Sequence, residues 1–311
     1  MIKTHMKNSR PLRKQVLQSW QLYILLLPAA TYVALFKIYP MYGLQMAFKD
    51  YRALNGIWGS EWAGIKHFER FFASYDFWRV LGNTIELSLY DLIVSFPFPI
   101  LLALMLNQVR AKLFKQSVQL VTYAPHFISV VVLVGMVVQF LDPRLGLING
   151  LIEFFGYPQI NWMAKPEYFK TIYVLSGIWQ NTGFACIIYL AALSGINPTL
   201  HEAALMDGSS RIRRIWHIDL PGIMPVIMII LILNAGHILN VGYEKVLLMQ
   251  NPLNLEASEV IDTYVYKIGL NSPLTNYSYA TAIGLFKSVA GLIMLIIVNY
   301  AAKKAKQATL W

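Results

Sequence analysis

Six stretches of about 20 apolar residues dominate this 311-residue chain, and they fix what it can become. A helix of that length just crosses the hydrocarbon core of a bilayer, where each backbone polar group must find its partner within the segment. The runs lie at 20–39, 83–106, 118–141, 171–193, 222–241 and 279–300. Composition agrees: 57% of residues are hydrophobic and 14% charged, against roughly 25% charged in soluble domains. The expected fold is an all-α polytopic membrane protein with six transmembrane helices. The first run has a basic flank like a secretion signal, but "LLLPAATYVALFKIYP" offers no small-residue cleavage site, so it reads as an uncleaved span. The lone cysteine, Cys186, lies inside the fourth run and allows neither an internal disulfide nor a cysteine metal site.

Loop charge gives the orientation. Lys3, Lys7, Arg10, Arg13 and Lys14 precede the first run; Arg110, Lys112 and Lys115 follow the second; Arg211, Arg213 and Arg214 follow the fourth; Lys303, Lys304 and Lys306 follow the sixth. Only Glu202, Asp207 and Asp219 oppose these 14 cations, whereas the alternate loops carry 11 basic and 11 acidic residues. Cytoplasmic loops retain Lys and Arg, so both termini are expected in the cytoplasm of a multi-pass cell-membrane protein. The net charge of +10 is thereby accounted for by topology, without nucleic acid as a partner.

The most polar of these inner loops is "LHEAALMDGSSRIRRIWHIDLP", 200–221. Pro198, Thr199 and Glu202 suggest a helix opened by a capping box near Leu200. Gly208 would end it. Ser209 or Ser210 would cap a second short helix with Ile212, Ile215 and Trp216 on one face and Arg211 and Arg214 elsewhere, and Pro221 would lead into the fifth span.

The loop fits the pattern EAA-x3-G-x9-I-x-LP through Glu202, Ala203, Ala204, Gly208, Ile218, Leu220 and Pro221. Chance agreement at seven fixed positions is about 10⁻⁸ per starting point. The chain thus resembles permease subunits of binding-protein-dependent ABC importers of type I, like those for maltose and alginate. "WAGIKHFERFFASYDFWRVLGNT", "AALSGINPTLHEAALMDGSS", "GYEKVLLMQNPLNLEASEVIDTYVYKIGL" and the terminal "ATLW" are similar to the subgroup that imports complex or acidic oligosaccharides. The resemblance implies a basic cytosolic tail at 1–19, a first helix and aromatic-rich external segment at 20–81, a transmembrane domain at 82–302 with a coupling loop at 198–221, and a cytosolic tail at 303–311. It implies partners as well: a second permease in a heterodimer, two ATPase subunits that bind ATP and Mg, and an extracytoplasmic solute-binding protein. Glu202 would pair with the ATPase, Ala203 and Ala204 would allow close seating, and Gly208 would allow the turn. The chain has no G-x-x-x-x-G-K-[ST] phosphate loop and is expected to be neither an enzyme nor a cofactor binder.

Polar residues within spans are costly and tend to face the bundle interior or a water-filled path. On a continuous helix Asn234, His237, Asn240 and Glu244 would fall within about 120° of one another, a polar stripe toward the outer end of span five. Trp179, Gln180 and Asn181 on span four, and Glu86 and Tyr90 beside Asn83 on span two, complete the candidate solute path; Ser88, Asp91 and Ser95 form another polar face of span two. The competing role for such residues is to join helices. The aromatic residues of 41–81 are expected to form an interfacial belt, and Thr281, Gly284, Ser288 and Gly291 a close-packing stripe. His237 is not expected to be a metal site, since no second ligand shares its face at the usual spacing except Glu244 two turns away. The remaining alternatives are another solute within the same family (a small sugar, a sugar phosphate or a non-carbohydrate) and, more distantly, a secondary transporter, which would show inverted repeats absent from these six runs.

Overall fold

The computed structural model describes residues 20–273 and 275–304. The basic tail 1–19, Lys306 and the terminal "ATLW" lie outside the described residues. Five helical segments are long and apolar enough to cross a membrane: Trp20–Phe48, Tyr75–Gln108, Pro166–Ser194, Arg211–Gly236 and Tyr277–Lys304. We call these spans one, two, four, five and six. Span three is a bent pair, Lys112–Phe127 and Val130–Phe140, meeting at 101°. Pro125 lies in the 3-10 turn at that break, where the ring removes an N–H and cannot continue a helix, and Ser129 restarts the second half by accepting from the Val132 N–H. Pro97 sits just past Phe96, where span two divides into Tyr75–Ser95 and Pro97–Gln108.

Two apolar cores stack along the bundle. At the end near the coupling loop, Ile100, Leu104, Cys186, Tyr189, Leu193, Ile223 and Ile227 join spans two, four and five. At the other end, Leu87, Phe169, Val174, Val246, Met249 and Val260 join spans two and four to the segments after span five. Glycine permits the tightest crossing: a Cβ on Gly183 would stand 2.0 Å from the Thr122 carbonyl oxygen, so the backbone of span four rests directly on that of span three. Gly236 likewise admits Leu295 of span six, whereas Gly284 has open space before it. The small-residue stripe of span six is therefore bare at Gly284 and packed at Gly291, which approaches the Gly236 carbonyl.

Residues 41–81 are not a simple aromatic belt. Lys49–Asp50 pairs antiparallel with Glu61–Trp62, and the helix Lys66–Phe72 comes next. Phe71 and Phe77 are buried with Val80, Ile261, Tyr264, Tyr279 and Ile283 in a third core, while Trp58, Trp62, Tyr75 and Trp78 stay exposed. Segment folding overrides the belt because the helix Ile261–Gly269 offers an apolar face to bury against. Span one is different again: no residue of Trp20–Val33 is buried.

Candidate functional site

The helix of the 198–221 loop is capped by Asn197, not by the expected Thr199 capping box. The Asn197 side chain accepts from the Thr199 N–H at 3.1 Å, and Pro198 occupies the first helical position, where its missing N–H costs nothing. The helix Pro198–Met206 then ends in a Schellman turn: Ser209 N–H donates to the Ala204 carbonyl at 2.9 Å, Gly208 N–H to the Leu205 carbonyl at 3.0 Å, and Gly208 takes φ +71°. Ser210 caps the next helical turn, its hydroxyl accepting from Arg213 N–H at 3.3 Å. No separate second helix forms. Arg211–Arg214 runs through a π-helical turn, Ile215–Asp219, straight into span five.

Ile212 and Trp216 are exposed, whereas Arg214 is buried and Asp219 fully so. Asp219 belongs to a polar junction the motif does not announce. Gln108 at the end of span two donates to Asp219 Oδ2 at 2.9 Å, and His201 Nε2 of the short helix lies 3.3 Å from Asp219 Oδ1. The carboxylate thus bonds span five to span two, and the loop-helix imidazole lies beside its other oxygen without a hydrogen bond. Outward from it, Glu202 and Ala203 are exposed, Ala204 is half-buried, and Leu200, Leu205 and Met206 are bare. Ile218 and Leu220 are half-buried and Pro221 exposed. Leu220 packs against the core at the loop end of the bundle.

Midway along spans two and four lies a cavity of about 470 Å³. Span two lines it with Ser88, Asp91 and Ser95, span four with Tyr173, Gly177, Asn181 and Thr182, and span five and its extension with Asn234, His237 and Asn240. Ser95 Oγ donates to Asp91 Oδ1 at 2.7 Å, Asn181 Oδ1 meets His126 Nδ1 at 3.1 Å, and Asn240 Nδ2 meets His237 Nδ1 at 3.3 Å. The rest of the lining is apolar, with Leu92, Phe96, Ile188 and Ile230, and the polar groups set in it mix donors and acceptors with a single carboxylate, partners a hydroxyl-rich guest can use.

The stripe predicted on one helix face is not a helix face. Span five stops at Gly236, and Asn240 N–H bonds the His237 carbonyl at 2.7 Å in a turn. Asn234, Gly236, Asn240 and Gly242 are weak helix formers, and tertiary contacts turn the chain there. Asn234, His237 and Asn240 still converge on the cavity, while Glu244 starts another helix, Tyr243–Met249, and does not line it. Other candidates join helices instead. Glu86 pairs with Lys170, Tyr90 meets Thr171 at 3.4 Å, Gln180 donates to the Ile128 carbonyl at 3.0 Å, and Trp179 is exposed away from the cavity lining. Asn83 donates to the Glu256 carbonyl at 2.7 Å and is likewise structural. Ser88, Asp91 and Ser95, placed by sequence on the second polar face of span two, are the face that meets the cavity. Among the described residues no group of three His, Cys, Asp or Glu side chains could hold a metal ion.

The sequence profile of the binding-protein-dependent transport system inner membrane component family matches residues 95–307. The chain is 47% identical over 298 residues to the polygalacturonan/rhamnogalacturonan transport system permease protein YteP of Bacillus subtilis, covering 96% of this chain and 92% of that one. It is 40% identical, with a TM-score of 0.88, to a chain of a bacterial alginate ABC transporter in complex with an alginate pentasaccharide-bound periplasmic protein, covering 97% of this chain and 100% of the other. A second structure, of a bacterial ABC transporter involved in the import of the acidic polysaccharide alginate, gives 41% identity and a TM-score of 0.86 over 94% of this chain and 98% of that one.

Proposed function

The chain belongs to the family of inner membrane components of binding-protein-dependent transport systems, and on that premise we propose that it carries an oligosaccharide or polysaccharide fragment into the cytoplasm. It is a permease subunit of an ABC importer, and it spans the cell membrane several times. The observation that carries the solute assignment is the cavity itself. Asn181, Asn234 and Asn240, with Ser88 and Thr182, offer amides and hydroxyls from three spans at one level of the bundle. Hydroxyl-rich ligands need that mixture of donors and acceptors, and a lipid-like solute would leave it unpaired. The names of the relatives support the same class.

In this reading Glu202, Ala203 and the bare Leu205 and Met206 seat in a groove of a cytosolic ATPase that binds ATP and Mg. Gly208 sets the loop angle, and Ile218, Leu220 and Pro221 pass the displacement into span five. Asp219 joins that displacement to span two through Gln108. Closing of two ATPases then alternates the cavity between an inward and an outward opening. The unburied first span is covered by a second, non-identical permease, and an extracytoplasmic binding protein delivers the solute. The excess of Lys and Arg in these loops supports a cytoplasmic location for both termini and the coupling loop.

The test replaces Asn234 and Asn240 with Leu and reconstitutes the whole importer with its ATPase and binding protein in proteoliposomes. Intact assembly and basal ATP hydrolysis with oligosaccharide uptake reduced at least tenfold is the expected result. Unchanged uptake removes these residues from the solute path, and failed assembly makes them helix joints.

A further inference from the structure

Among the described residues, Lys245 is a buried cation without a short-range anion. It stands on the helix Tyr243–Met249 with 8% exposure, next to Val246 and Met249 of the core at the outer end. Its ammonium donates to the Tyr173 carbonyl at 2.7 Å and lies 4.3 Å from the centre of the Tyr173 ring. An ammonium has three donors, and the bond to Tyr173 uses one. Other cations held at this end of the bundle have carboxylates: Arg79 has Asp76 and Glu259, and Lys287 has Asp262. None of the ion pairs among the described residues includes Lys245. Burial drives its pKa down to about 8, while the charge of Asp91 pulls it upward.

The ammonium also sits directly behind the wall of the solute cavity. A Cβ built on Gly177 would stand 3.3 Å from Lys245 Nζ, and Gly177, Tyr173 and Asp91 all line the cavity. Lys245 itself does not line the cavity; Gly177, which does, has no side chain to stand between them, a window that any larger residue would cover. Asp91, the one carboxylate in the lining, is engaged by Ser95 and acts on Lys245 only from a distance. A buried charge left in this state is stabilised by any anion that can reach it.

We infer that Lys245 is a specificity-determining cation of the cavity, receiving through the Gly177 window the carboxylate of an acidic sugar unit. The inference rests on the oligosaccharide reading and narrows it. A single cation suits a singly charged group, which must bind on the side of the cavity away from the Asp91 carboxylate. A phosphate ester, with close to two charges, would demand more cations than the lining holds. The neighbouring Asn234 amide and the Asn181 Nδ2, the Asn181 oxygen being engaged by His126, hold the hydroxyls of the same unit.

The test uses the complete importer with its ATPase and binding protein in proteoliposomes, offered labelled trigalacturonate or the neutral galactotriose of the same linkage. Lys245→Met is expected to lower the ratio of acidic to neutral uptake at least tenfold, and Lys245→Arg, which keeps the charge, to restore most of it. Gly177→Ala is expected to lower the ratio severalfold with Lys245 still in place. If Lys245→Met does not assemble, the Arg and Gly177→Ala variants decide by the same ratio. An unchanged ratio overturns the inference, and so does a parallel fall for both probes, which would mark Lys245 as a tie between two helices. Wild-type preference for the neutral probe overturns it alone. Wild-type import of neither probe overturns the oligosaccharide reading and this inference with it.

Discussion

Replacing Gly208 isolates the backbone geometry of the coupling loop from its contacts. Gly208 holds φ +71°, and a Cβ placed there would meet nothing within 4 Å, so a substitution introduces conformational strain without a clash. For an L-residue that strain is roughly 1–2 kcal/mol, and Asn tolerates the left-handed region better than Ala. The loop can escape only by opening the Schellman turn, which forfeits the Ser209–Ala204 and Gly208–Leu205 bonds at about 1 kcal/mol each. Strain and escape are thus matched, and Gly208→Ala should divide the loop between native and unwound forms. A change of one to two kcal/mol corresponds to a factor of about 5–30. Titrating the ATPase onto the permease pair in nanodiscs should therefore show docking weakened by that factor for Ala, less for Asn, and more for the β-branched Val. Thermal stability of the spans should not move, because the residue is exposed and remote from the cores. Docking by Gly208→Ala within twofold of wild type, or Asn worse than Val, would refute the reasoning.

Packing and topology set three further outcomes. Gly183→Ala should destabilise the detergent-solubilised protein by about 1–3 kcal/mol, since its Cβ would meet the Thr122 carbonyl at 2.0 Å, while Gly284→Ala, facing open space, should be near neutral in the same melting assay. Asn149, buried, donates to the Asp142 and Ile160 carbonyls and accepts from Ile160 N–H, all within 3.0 Å, so Asn149→Ala should leave unpaired backbone groups costing about 1–3 kcal/mol each and speed hydrogen exchange across 141–160. With Cys186 replaced, an impermeant thiol reagent on intact cells should label Ser74→Cys and Ser272→Cys but spare Ser210→Cys; the opposite pattern would invert the topology.

Six spans and the coupling motif were legible because each rests on a local quantity, apolar length in one case and fixed spacing in the other. The helix end at Gly208 was legible for the same reason, since a glycine just past a helix commonly takes the left-handed region that Gly208 holds here; the Schellman bonds themselves were not read. What escaped depends on tertiary partners. Asp219 is buried where Gln108 bonds it and His201 lies beside it, residues distant in sequence or unmarked by the motif. Periodicity carried the fifth span past Gly236 because a hydrophobic count does not register where the chain turns. The same error admitted Glu244 to the stripe. Span two shows the limit most clearly: its two polar faces were equivalent in sequence, and only the position of spans four and five makes Asp91 a cavity residue and Glu86 a partner of Lys170. Lys245 gave no signal at all, since a lysine four residues past an apolar run ordinarily reaches water.

The central claim is that ATP hydrolysis on a separate subunit, passed through the Glu202–Pro221 loop, drives an oligosaccharide through this cavity. Its most direct test is accumulation of labelled neutral and acidic oligosaccharides in proteoliposomes carrying the complete importer, with Glu202→Ala/Gly208→Leu as the uncoupled control. The account predicts accumulation that requires ATP on the loop side and binding protein on the other, and that falls at least tenfold in the double variant while the complex stays in the membrane. Uptake driven by an ion gradient without ATP, or full uptake by the double variant, would contradict it.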